Sequence, residues 1–79
     1  MKIFNYADNV AVVCECKPTR NGFKHVATVL HNGRVVDVEQ CFYLNRTWES
    51  FEYESVLRKA ESYIDNNIKL EHWEPKTRA

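Results

Sequence analysis

Between residues 10 and 43 apolar and polar positions alternate with a period of two, and beyond residue 52 the period lengthens to about 3.6. The first pattern predicts half-buried strands and the second an amphipathic helix. Asn32-Gly33 interrupts the alternation between runs at 23–31 and 34–43, and such a pair predicts a two-residue hairpin. Both central residues of a type I′ turn need φ > 0, which Asn tolerates and Gly adopts freely. Pro18-Thr19-Arg20-Asn21-Gly22 predicts an earlier reversal, after a strand at about 10–17. Two hairpins in succession make a three-stranded antiparallel meander, with Ile3, Phe4 and Tyr6 as a short fourth strand at the N-terminus.

The turn at Asn32-Gly33 also implies a register. It sets His31 opposite Arg34, Leu30 opposite Val35 and Val29 opposite Val36, then Ala27 opposite Val38, His25 opposite Gln40 and Phe23 opposite Phe42. Phe23, Ala27, Val29, Val36, Val38 and Phe42 then share the core face. Lys24, Val26, Thr28, Leu30, Val35, Asp37, Glu39 and Cys41 share the outer one. On the preceding strand Val10, Val12, Cys14 and Cys16 form the core side. Phe42, Trp48 and Phe51 are expected to close the end of the core.

A helix is predicted over about 50–66, with Tyr53, Val56, Leu57, Ala60, Tyr63, Ile64 and Ile68 on one stripe. Ser50 and Thr47 compete as its N-cap. The apolar face of the meander is the surface able to bury that stripe, so the expected fold is α+β: an antiparallel sheet packed on one C-terminal helix. Leu70 and Trp73 are expected to fold back as a last anchor, and residues 74–79 read as a frayed tail.

At 79 residues the chain has room for one domain, spanning 1–79. Short chains leave much of their surface uncovered, and a homodimer is one expected remedy. Lys and Arg, 11 in all, balance 11 Asp and Glu, which removes the basic field that nonspecific duplex binding usually needs. No run is long enough to span a bilayer, and the first residues lack the apolar core of a signal peptide, so a cytoplasmic setting is expected. Three cysteines make a poor disulfide framework and fit the same setting.

Cys14-x-Cys16, Cys41 and three His invite a zinc reading, but two Cys at i, i+2 on a strand do not converge as structural zinc ligands do. Cys41 is expected on the outer face, and His25 and His31 at the sheet rim, bonded to Gln40 or water. Both glycines are needed for turns, leaving no phosphate-cradling loop. Glu49, Glu52 and Glu54 fit the first turns of a helix better than an acid/base pair. No metal, cofactor or catalytic constellation is therefore expected, and the chain reads as a non-enzymatic module.

Two exposed segments stand out as binding candidates. Lys17, Arg20 and Lys24 place three positive charges on one hairpin tip without an acid. Tyr43, Asn45 and Arg46 join the last strand to the helix, with the Arg-plus-aromatic composition of an interface anchor or a base-stacking platform. The stretch 43–51, followed by Tyr53 and Ser55-Val56-Leu57, resembles a segment of small proteins encoded by phages and mobile elements, and residues 22–27 resemble their upstream strand. The resemblance implies a small accessory protein of the host-cell cytoplasm that binds a host protein or ribonucleoprotein. The strand-then-helix order also resembles single-stranded-DNA-binding folds, so single-stranded nucleic acid is the alternative partner.

Overall fold

In the computed structural model, which describes residues 1–44 and 53–68 and the backbone of 76–78, Asn32 and Gly33 adopt φ of 56° and 77°. This is the left-handed geometry of the expected turn, and it joins β3 (Phe23–His31) to β4 (Arg34–Tyr43). β1 (Lys2–Ala7) and β2 (Val10–Pro18) precede them, and β5 (Lys76–Arg78) closes the opposite edge. The sheet is antiparallel, in the order β4-β3-β2-β1-β5. The tail expected to fray is thus partly a strand: Arg78, Thr77 and Lys76 pair with Ile3, Phe4 and Asn5.

The helix α1 (Glu54–Tyr63) runs into a π-helical extension, Ile64–Ile68. Tyr53 occupies its N-cap position at φ 60°, with no side-chain cap. Ser50 and Thr47, like Trp48 and Phe51, lie outside the described residues. A left-handed tyrosine costs about 1 kcal/mol, which the burial of its ring offsets. That ring is 1% exposed, with its centroid 4.7 Å from that of His25. Asn67 Nδ2 donates to the Tyr63 carbonyl at 3.1 Å, where the helix widens.

Tyr53, Val56, Ala60 and Ile64 bury the expected stripe against Phe4, Tyr6, Val10, Val12, Cys14, Ala27 and Val29. Leu57, Tyr63 and Ile68 pack at its margin. The Tyr6 hydroxyl donates to Glu61 Oε2 at 2.8 Å and ties β1 to α1. Asn32 N–H donates to the Asn9 carbonyl at 2.9 Å and Asn9 Nδ2 to Asn32 Oδ1 at 3.1 Å, pinning two turns together.

The register of β4 departs from expectation. His31 pairs with Arg34 and Leu30 with Val35, as the turn dictates, but Val29 then pairs with Asp37. Val36 is the extra residue of a β-bulge. Beyond it Ala27 meets Glu39, His25 meets Cys41 and Phe23 meets Tyr43. At the other end of the hairpin Gly22 sits so close under the end of β4 that a Cβ there would collide with the Tyr43 carbonyl oxygen. Its φ is not left-handed, so the glycine serves this close approach and not a type I′ turn. The turn end of the hairpin keeps the register of Asn32-Gly33, the Gly22 end is shifted by one residue, and the bulge absorbs the difference.

Candidate functional site

The bulge reverses the faces of β4. Asp37, Glu39, Cys41 and Tyr43 now share the helix side with Val29, Ala27, His25 and Phe23. Val38, Gln40 and Phe42 share the outer side with Thr28, Val26 and Lys24. Val35 and Val36, one on each side of the bulge step, are both exposed. The expected core places for Val36, Val38 and Phe42 are therefore corrected, as is the outer place for Cys41. Phe42 is 66% exposed and does not close the core.

The outer face can be written as rows running across the strands. Asn5, Ala11, Leu30 and Val35 form the first, and Ile3, Val13, Thr28 and Val38 the second. Glu15, Val26 and Gln40 form the third, and Lys17, Lys24 and Phe42 the fourth. Along β3 and β4 the face grades from aliphatic at Leu30 and Val35 to basic and aromatic at Lys24 and Phe42, while the first two rows continue by backbone pairing to Lys76 and Arg78 of β5. Its apolar exposure concentrates on the edge strand: Val35 is 60% exposed, Val38 47%, and Leu44, just past β4, 81%. Isolated surface hydrophobics are ordinary, but a file of them along one strand marks a contact surface.

The basic end gathers Lys17 and Lys24, and Arg20 is exposed on the loop between their strands. Like charges directly opposite one another destabilise a strand pair, so each lysine finds a local partner. Lys17 Nζ lies 3.7 Å from Glu15 Oε2. Lys24 Nζ donates to Gln40 Oε1 at 3.4 Å and lies 5.7 Å from the Phe42 ring centroid, a cation–π distance.

Tyr43, expected to point away from the core with Asn45 and Arg46 in an exposed junction, points to the helix side instead. Its ring stacks on Phe23 at 4.9 Å and meets His25 at 5.0 Å. His25 is accordingly a core residue, 3% exposed among Phe23, Tyr43 and Tyr53, and not a rim histidine held by Gln40. Asn45 and Arg46 lie outside the described residues. Of the expected site residues the structure brings Lys17, Lys24 and Arg20 to one end and moves Tyr43 away. The residue missed was Phe42, whose outward side depends on the bulge. The signal that could have found it was the second glycine, Gly22, read as a close approach.

As an edge strand, β4 would offer its backbone to another strand, but three features discourage that. The bulge breaks the ladder at Val36. Lys59 of α1 donates Nζ to the Gln40 carbonyl at 3.0 Å, filling an acceptor of the edge strand. Asp37 and Glu39 bring charge to the helix side of the edge. A hydrogen bond to Asp37 favours the protonated form of Glu39 and pushes its carboxyl up, with burial and the Asp37 charge acting the same way and Lys59 opposing. What is available for binding is the face, not the edge.

The remaining titratable groups are placed for packing. Burial pushes the Cys14 thiol up to about 12. Burial, then the bond to Glu61, raises the Tyr6 hydroxyl, and burial raises that of Tyr53. Cys14, Cys16 and Cys41 are thiols, not disulfides. Among the described residues no group of three or more His, Cys, Asp or Glu is placed to hold a metal ion, and no helix is long and apolar enough to cross a membrane. No protein-family model, curated protein or solved structure matches this chain.

Proposed function

We propose that this chain is a non-enzymatic interaction module, a small phage-type accessory protein that binds a host protein or ribonucleoprotein through the outer face of its sheet. The observation that carries this reading is the exposed set Val35, Val38 and Phe42 on the side of the sheet that α1 leaves uncovered, with Val36 at the bulge and Leu44 past the strand end exposed beside them. Apolar side chains at the centre of a patch, with polar and charged groups at its margin, are the anatomy of a protein interface. Lys17, Arg20 and Lys24 supply that margin at one end. The phage setting, and with it the host cytoplasm, comes from the resemblance of 22–27 and 43–57 to small phage proteins.

One observation favours a second reading, single-stranded nucleic acid: Phe42 beside Lys17 and Lys24 pairs a stacking ring with phosphate-binding charge. Nucleic-acid platforms stack successive bases on several aromatics, whereas the other large apolar side chains of this file are aliphatic. The balance favours protein. Capture from a bacterial lysate, with and without nuclease, tests it. A protein retained after nuclease by the native chain and lost by Val38→Glu is the expected result. Retention that vanishes with nuclease, or weakens steeply with salt, overturns it in favour of nucleic acid.

A further inference from the structure

We infer that the outer face is self-complementary and that, in the absence of a target, a second copy of the chain covers it. This inference rests on reading that face as a protein-docking surface and names its resting occupant.

Three observations carry it. The first is apolar exposure. Val35, Val38 and Phe42 are 60%, 47% and 66% exposed on this face, with the half-buried Val13, Val26 and Leu30 beside them, a continuous apolar strip of the kind that forms the centre of a standard interface. The second is charge. The chain has a formal net charge of +0, so two copies meet without overall repulsion.

The third is the gradient along the face, which selects one stacking. Two sheets packed face to face lie about 10 Å apart with strands nearly aligned. If the strands of the two copies ran in the same direction, the Lys17–Lys24 rows would lie over each other and four ammonium groups would converge. With the copies antiparallel, the basic rows lie at opposite ends of the interface. β4 then crosses over β4, and Phe42 of each copy meets Val35 of the other. A two-fold axis satisfies both contacts at once, as an isologous dimer requires. α1 lies on the outside of each copy, so the dimer is a four-layer α/β/β/α stack. Binding of a target at the same face displaces the second copy.

Sedimentation equilibrium of the purified full chain, over about 1–100 µM, tests this, because interfaces of standard size commonly associate within or below that range. The expected result is a concentration-dependent rise from the 9.4 kDa monomer to twice that mass. Val38→Glu is expected to hold the chain monomeric, and Arg58→Glu, on the exposed side of α1, to leave the dimer intact. Circular dichroism reports whether Val38→Glu folds. If it does not, Phe42→Glu, placed beside Lys24, decides in its stead. A native chain that stays monomeric throughout overturns the dimer. If Val38→Glu still abolishes capture of the target, the docking reading stands without it. A dimer that survives the glutamate at both Val38 and Phe42 uses another surface and overturns the inference.

Discussion

Phe23 and Tyr43 stack at the far end of the β3–β4 hairpin, ring centroids 4.9 Å apart, one residue out of step with the register that Asn32-Gly33 begins. That single step turns Phe42 to the surface and Tyr43 inward.

The two glycines should therefore respond differently to alanine. At Gly22 the new Cβ meets the Tyr43 carbonyl oxygen and the backbone of Leu44, so the strand end must move. A loss of about 1–3 kcal/mol is expected in urea unfolding, the range of core overpacking. At Gly33 nothing lies within 4 Å, and only the positive φ of 77° opposes a side chain. The expected loss there is about 1 kcal/mol.

Deleting Val36 should be tolerated. Without it Leu30–Val35 and Val29–Asp37 become consecutive rungs, and both ends of the hairpin keep their partners. The deleted side chain is 38% exposed, so little core is lost. A folded chain, with a melting temperature lowered by only a few degrees, is expected from circular dichroism. Unfolding on deletion would show that the bulge is needed for twist as well as for register.

Glu39 gives the fold a pH signature. Its carboxyl is raised in the folded state, so the folded chain holds that proton more tightly than the unfolded chain does. This group's contribution is most favourable below its unfolded value and is lost as pH rises through the folded one. Glu39→Gln should raise the melting temperature at pH 7 relative to the native chain, and the difference should shrink as pH falls below about 5. Paired melts at the two pH values check it.

Tyr6→Phe removes the hydroxyl that reaches Glu61 at 2.8 Å while keeping the ring in the core. A hydrogen bond to a charged group contributes about 1.5–3 kcal/mol, and the partial exposure of Glu61 sets the expectation near the lower end. Equilibrium unfolding in urea measures it.

Thiol labelling should separate the cysteines. Cys14 is buried and its thiol is pushed up to about 12, so at pH 8 it is protonated and shielded. It should react only on unfolding, whereas the half-buried Cys16 and Cys41 should react in the folded chain. Fast labelling of all three would contradict the packing of β2 under α1.

The alternation of β2 and β3 was legible because their two parities differ sharply: Val10, Val12 and Cys14 against Glu15 and Lys17. The helical stripe was legible for the same reason. β4 was not, because both its parities hold large apolar residues, Val36, Val38 and Phe42 on one and Cys41 and Tyr43 on the other. Its register shifts at a bulge that no local pattern reports. β5 is Lys-Thr-Arg, three polar residues without a period to read. Of the candidate site, the basic tip can be read from charge alone, as can the outer place of Val35 from the turn, while the local pattern sends Val36, Val38 and Phe42 to the core.

The guarded edge of β4 has a further consequence. A sheet with an exposed apolar face and a free edge can add strands without limit, which is how fibrils grow. Here Lys59 occupies a carbonyl on one edge, a bulge breaks that ladder, and a three-residue strand forms the other. Face contacts are left available while strand addition is discouraged at both sides. The molecule can be adhesive on one surface and still form closed assemblies in place of open-ended ones.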